Sequence, residues 1–271
     1  MTSRRMMMAK LLFNPDKKEK NLSPMIVGLF YFYTMALPFF YIPGFDTGQK
    51  EIMLDDETSR HVVQVLRMKT GEELNLTDGK GNLITCSIAD NNKKHCTVEV
   101  RGVRYREQGT RKVSIAISLL KNTNRFEWFL EKATEIGVRE IIPLICKRTE
   151  KEKFRVDRLK GICVSAMLQS QQTWLPVLLE PVPFEELMRR KFDDCRKFIA
   201  HCIENEKKEL GYEQIGISAN RMVCIGPEGD FTREEIQLAL QKGFDAVSLG
   251  NTRLRTETAG VVAATLLQLI A

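Results

Sequence analysis

Two glycine-bearing segments hold most of the residues whose types and spacing could do chemistry. In this 271-residue chain, Ile225-Gly226-Pro227-Glu228-Gly229-Asp230 follows an apolar run and leads into Thr232-Arg233-Glu234-Glu235. Thr232 and Glu235 have capping-box spacing, which predicts a helix start whose exposed amides face the loop. Glycines allow a backbone to approach a ligand closely and Pro227 stiffens the turn, although an ordinary strand-to-helix turn fits the local pattern equally well. The second segment, Leu249-Gly250-Asn251-Thr252-Arg253-Leu254-Arg255-Thr256-Glu257-Thr258-Ala259, again lies between an apolar run and a helical one. Favourable interaction with a helix dipole would account for Glu257, whereas Arg253 and Arg255 have no such local explanation. Neither segment continues into Gly-Lys-Ser/Thr, which argues against the phosphate cradle of an NTPase.

These segments need a scaffold that brings them together. Short strands are expected at 39–42, 51–54, 72–77, 83–89 and 96–103, with Asp78-Gly79-Lys80-Gly81 as a hairpin turn. One helix, 57–68, should bury Val62, Val65 and Leu66 on one face. That density of strands suggests a small barrel. From 112 onward strands and helices alternate: strands at 113–119, 140–146, 197–201, 221–225 and 246–249, and helices at 125–136, 156–169, 184–191, 233–242 and from 257. Alternation of this kind predicts a parallel sheet with crossover helices, so the fold class is α/β, with a boundary near the polar stretch 107–110. In such a sheet, ligands bind beyond the carboxyl ends of the strands, where both glycine-bearing segments fall.

Composition bounds the function classes. The chain is 43% hydrophobic and 28% charged, which excludes disordered and collagen-like classes. Its 41 Lys+Arg against 35 Asp+Glu give +6. Residues 1–22, with six basic and two acidic groups, carry much of that excess, so global charge does not argue for a polyanionic partner. Seven cysteines without a CxxC pair, together with three histidines, point to a reducing cytoplasm and no metal. His201-Cys202 is the one adjacent soft pair, and it reads as a strand end near a core. Residues 25–42 carry no charge, which meets the minimum for a membrane span; a secretory signal is a second reading, against which stand the lack of a small-x-small cleavage site and the free cysteines. The favoured reading is that 1–34 is a leader outside the working protein, that Met35 begins it, and that no membrane is involved.

The pair IGPEGDFTREEI and LGNTRLRTETA closely resembles the signature of the RsmE family, the 16S rRNA uridine-N3 methyltransferases of the SPOUT superfamily. HVVQVLRMKTGEELNLTDGKG is similar to that family's amino-terminal domain, KNTNRFEWFLEKATEIGVREIIPL to the start of its catalytic domain, and AMLQSQQTWLP to a further segment. The resemblance covers 37–271. It implies a PUA-like RNA-binding β-barrel over 35–107 and an α/β methyltransferase domain over 108–271, tied in a trefoil knot. It also implies S-adenosyl-L-methionine as cofactor, 16S rRNA or the small ribosomal subunit as partner, and a homodimer. Ile225, Gly226, Pro227, Glu228, Gly229, Leu249, Gly250, Leu254 and Thr256 would line the cofactor. In AMLQSQQTWLP, Leu168 and Gln172 depart from the family pattern, while Met167, Gln169 and Ser170 are expected to face the active site.

Methylation of uracil N3 requires the base to be positioned, its anion favoured, and its proton removed. Arginine, charged at any working pH, suits the second task. The candidates are Arg255 and Arg125, with Glu257 as a weaker candidate base. Because the Watson-Crick edge reacts, the nucleotide must be unpaired or extruded. Arg101, Arg104, Arg106, Arg111 and Lys112, with Tyr105 interleaved, form the first basic cluster expected to grip RNA. The run 147–160 is a second cluster, and His61 and Arg67 are lesser candidates. The alternative is a non-catalytic RNA-binding or ribosome-assembly factor, a descendant that would have no need of the two intact loops.

Overall fold

The structure is a computed structural model that describes residues 37–150, 154–192, 194–203, 207–211 and 220–269. Contacts group Phe39–Ala271 as one compact unit, which holds every described element. The expected leader, and the apolar run up to residue 36, lie outside the described residues. Among the described residues no helix is long and apolar enough to cross a membrane.

The first sheet comprises β1 (Phe39–Tyr41), β2 (Glu51–Met53), β3 (Glu73–Thr77), β4 (Asn82–Asp90) and β5 (Thr97–Tyr105), in the order β1-β3-β4-β5-β2. All neighbours are antiparallel except β1 and β3. Alternating residues of β3 and β4, Leu74, Leu76, Ile84, Cys86 and Ile88, point into one core with Val62 and Val98. Two register shifts between β4 and β5 bend the pair around that core. The expected helix at 57–68 is shorter. Helix α1 (Asp56–Arg60), capped by Asp55, opens into a π-helical turn, His61–Val65. The Met68 amide closes this turn on the Val62 carbonyl at 3.0 Å, which brings Val62 and Met68 into the core together. The extra residue per turn rotates Val65 and Leu66 away from the core, leaving them 67% and 42% exposed, contrary to the expected apolar face.

The second sheet is parallel throughout. It contains β6 (Lys112–Ser118), β7 (Glu140–Ile145), β8 (Val177–Leu178), β10 (Cys195–Ala200), β11 (Lys208–Glu209), β12 (Asn220–Ile225) and β13 (Asp245–Ser248), in the order β11-β13-β10-β12-β6-β7-β8. A further strand, β9 (Val182–Pro183), pairs with β7. The central strands β6 and β12 are buried on both faces, which explains the consecutive apolar residues 115–117 and 222–225. Ile115, Ile117, Val223 and Ile225 face one core with residues of α2 (Thr123–Ile136), α3 (Val156–Gln169) and α6 (Thr256–Leu269). Ala116, Met222 and Cys224 face the other with residues of α4 (Phe184–Arg189) and α5 (Arg233–Gln241). The carboxyl end of α6 is held by two arginines. Arg221, 2% exposed, donates to the Leu267 carbonyl at 2.7 Å, and Arg111 donates to the Gln268 carbonyl, so both complement the negative end of the helix.

The segment AMLQSQQTWLP joins the two sheets. The hairpin turn inserts beside it: the Gly81 amide donates to Thr173 at 2.8 Å and the Leu175 amide to Gly79 at 2.9 Å. Trp174 donates from Nε1 to the Arg106 carbonyl at 2.8 Å, and its ring meets Tyr105 edge-on at 5.9 Å. Gly81 is required here, since its φ is +99° and a Cβ would lie 2.7 Å from the Trp174 ring. Gln172 turns inward to donate to the Thr134 and Glu135 carbonyls, satisfying the end of α2. Trp174→Ala removes one hydrogen bond and a half-buried ring from this joint. It is expected to lower stability by about 2 kcal/mol, read as a shift of the denaturation midpoint.

Candidate functional site

A cavity of about 620 Å³ opens at the carboxyl ends of the adjacent strands β10, β12 and β13, within the range of roughly 300–1,000 Å³ typical of ligand sites. The loop after β12 forms one wall and the loop after β13 another. Thr232 accepts from the Glu235 amide and Glu235 from the Thr232 amide, so the capping box expected at the start of α5 is present. Neighbouring loops fasten this wall: the Lys121 amide donates to Glu228, the Lys147 amide to Glu235, and Arg148 to the Gly229 carbonyl. Asp230 links it to the end of β10. In a left-handed conformation, φ 64°, it accepts from the Cys202 amide at 2.8 Å.

Of the residues expected at the cofactor, Ile225, Gly226, Pro227, Glu228, Leu249, Gly250, Leu254 and Thr256 line the cavity. Gly229 does not, since its carbonyl is turned to Arg148. Gly226 is small for an internal reason, because a Cβ there would press on Phe231 at 3.1 Å. Gly250, by contrast, has φ +112° and open space where a Cβ would stand, so the backbone itself forms the surface.

Arg125, at the start of α2, and Arg255, just before α6, both line the cavity. They differ in what holds them. Arg125 Nε lies 3.6 Å from Glu257 Oε1, and that carboxylate is only 6% exposed. Its second oxygen, Oε2, is buried without a hydrogen-bond partner among the described residues. Arg255 is exposed and forms no ion pair among the described residues, so its charge is uncommitted. The helix dipole of α6 points its positive end at the same place.

Met167, Gln169 and Ser170 lie away from the cavity: Met167 is buried, and Ser170 bonds back to the Ala166 carbonyl. The distance follows from the role of their segment at the joint between the sheets. The first basic cluster also divides. Arg106 donates to the Gln171 carbonyl, Arg111 to Gln268, and Lys112 pairs with Glu140 at 3.3 Å, so these three serve internal contacts. Arg101 pairs with Glu99 on the surface, while Arg104 is exposed without an ion-pair partner among the described residues. Arg67 is exposed and left-handed, φ 57°, immediately after the π-helical turn. A non-glycine residue in that conformation is uncommon and marks a backbone held by its surroundings.

One residue of the cavity was not expected there from the sequence. His201, at the end of β10, lines the cavity rather than a plain core. It is 6% exposed, and neither ring nitrogen has a hydrogen-bond partner among the described residues. Burial lowers its pKa, as does the Lys207 ammonium, against weaker opposing pulls from Asp230 and from the Ile203 backbone, which falls short of hydrogen-bond geometry. The imidazole is therefore neutral at pH 7.

The sequence matches the family described as RNA methyltransferase domain over residues 107–268, and that described as RNA methyltransferase PUA domain over 54–101. The chain belongs to the RNA methyltransferase family, with the α/β catalytic domain preceded by the small PUA-like one. A curated relative, Ribosomal RNA small subunit methyltransferase E of Rickettsia conorii, is 25% identical over 78% of this chain and 86% of its own. Two solved structures are similar over the same fold. The "probable rRNA-methyltransferase" of Porphyromonas gingivalis is 37% identical, covers 86% of this chain and 98% of its own, and has a TM-score of 0.78. Ribosomal RNA small subunit methyltransferase E of Neisseria gonorrhoeae, bound to S-adenosyl methionine, is 28% identical, covers 86% and 97%, and has a TM-score of 0.74.

Proposed function

We propose that this protein methylates N3 of one uridine in 16S rRNA with S-adenosyl-L-methionine as donor, acting on the small ribosomal subunit in the cytoplasm as a homodimer. The working protein begins at Met35, with a PUA-like domain to 107 and a SPOUT domain from 108 whose carboxyl-terminal part is threaded in a trefoil knot. The observation that carries this reading is the cavity where the loops after β12 and β13 meet, walled by apolar residues and edged by the uncommitted Arg255. Its chemistry fits the cofactor: Ala200, Ile225, Val247, Leu249 and Leu254 suit a nucleoside, and the His201 ring, without a hydrogen-bond partner among the described residues, offers it a polar contact.

When bound, the cofactor supplies a methyl group on an electrophilic sulfonium. Arg255 stabilises the negative charge that develops on uracil as the N3 proton leaves. Arg125 orients Glu257, whose free oxygen receives that proton directly or through a water. The loops after β12 and β13 hold the reacting partners in line through their backbone. Arg67, after the π-helical turn, and Arg101 and Arg104, on β5, grip RNA phosphates, while Arg106, Arg111 and Lys112 keep the two sheets and α6 in place. The reading is tested by incubating the protein with tritiated S-adenosylmethionine and small ribosomal subunits lacking the modification. Label is expected in 16S rRNA, and none there would overturn it.

A further inference from the structure

We infer that His201 binds the nucleoside part of the cofactor, its imidazole hydrogen-bonding an uncharged polar group of the ribose or base. This deepens the cofactor reading and rests on it. Buried polar groups in folded proteins are almost always hydrogen-bonded, and one left without a partner destabilises the free protein. His201 is such a group among the described residues, on the wall of a ligand-sized cavity. Its position is imposed by the fold. It follows Ala200, which stands in register with Ile225 on one side and Val247 on the other, so the ring projects from the middle strand of three. The turn after it is clamped, because Asp230 accepts from the Cys202 amide and Lys207 donates to the His201 carbonyl at 2.9 Å.

The chemistry narrows what the ring meets. A neutral imidazole offers one donor and one acceptor, as do the hydroxyls of a ribose or the edge of a purine. Ala200, Ile225 and Val247 beside it are apolar, and the two charged groups at this end are engaged by the chain, Lys207 with the His201 carbonyl and Asp230 with the Cys202 and Phe231 amides, so it suits a flat, uncharged body. The charged groups that suit reacting atoms, Arg125 and Arg255, belong to the α2 and α6 side.

The test measures cofactor binding and stability together, by titration calorimetry and thermal denaturation of wild type, His201→Leu and His201→Gln. His201→Leu is expected to weaken S-adenosylhomocysteine about tenfold, and 5′-methylthioadenosine, which lacks the amino-acid end, by the same factor. The Tm of the ligand-free variant should not fall, because the substitution removes an unpartnered polar group. His201→Gln, which restores a donor and an acceptor, should recover most of the affinity. Unchanged affinity in His201→Leu would overturn the inference, as would a glutamine variant no better than leucine. Weakened S-adenosylhomocysteine with unweakened methylthioadenosine would overturn the assignment to the nucleoside. Absence of binding by the wild type would instead overturn the cofactor reading itself.

Discussion

Arg255→Ala is expected to lower kcat about a hundredfold, the typical effect of removing one preorganised stabiliser of developing charge, while cofactor affinity changes little. The asymmetry follows from how the two arginines of the site are held. Arg125 is committed to a buried carboxylate, so its charge is largely balanced before substrate arrives. Arg255 has no ion-pair partner among the described residues, and it stands where the positive end of α6 adds to its field. A charge so placed is worth most when negative charge appears opposite it, which occurs only as the uracil proton leaves. Arg255→Lys should recover part of the rate, since charge is kept but the planar fork is lost. Single-turnover kinetics and calorimetry separate the two effects. Equal losses in kcat and cofactor affinity would move Arg255 to the binding wall.

Gly260→Ala should have the largest effect on stability among small changes, destabilising by about 1–3 kcal/mol, the usual range for overpacking a filled core. A Cβ at 260 would lie 2.7 Å from the Phe129 ring and 2.9 Å from Ile117, and both neighbours are fully buried. Neither can retreat, so α6 must shift away from α2 and β6. Because α6 begins with Thr256 and Glu257, that shift reaches the cavity. Cofactor affinity is therefore expected to fall together with the denaturation midpoint. Gly161→Ala, at an exposed position of α3 with open space around it, should instead leave both nearly unchanged or slightly raised.

The parts of the structure that were legible in sequence are those set by local physics. Short, largely apolar runs identified β6, β7 and β12 because both faces of a parallel sheet are covered. The Thr232/Glu235 spacing located the start of α5, and the end of α2 at Ile136 was also legible, whereas its start, expected at 125, lies at Thr123 after the Asn122 cap. Strands β8, β9 and β11 were invisible because two residues carry no periodicity and exist only through pairing with β7 or β13. The π-helical turn after α1 likewise depends on the demand of the first core for both Val62 and Met68.

The same division runs through the site. Residues in contiguous motifs, from Ile225 to Glu228 and from Leu249 to Thr256, are adjacent in the chain and again at the cavity. Arg106, Arg111 and Lys112 looked like one basic patch because they are near in sequence, yet each is claimed by a partner far away: Gln171, Gln268 and Glu140. His201 stood out in the sequence only as half of a His-Cys pair at a strand end. Its significance lies in two nitrogens without a hydrogen-bond partner among the described residues, and only the packed structure reveals those.

The central claim is transfer of a methyl group to N3 of a single uridine. It is tested most directly by primer extension on 16S rRNA from unmodified small subunits treated with the protein and S-adenosylmethionine. An N3 methyl group blocks Watson-Crick pairing, so reverse transcriptase should arrest one nucleotide before one uridine, with the stop absent when cofactor is omitted and strongly reduced with Arg255→Ala. Full-length extension under all conditions, or cofactor-dependent arrest at a residue other than uridine, would contradict it.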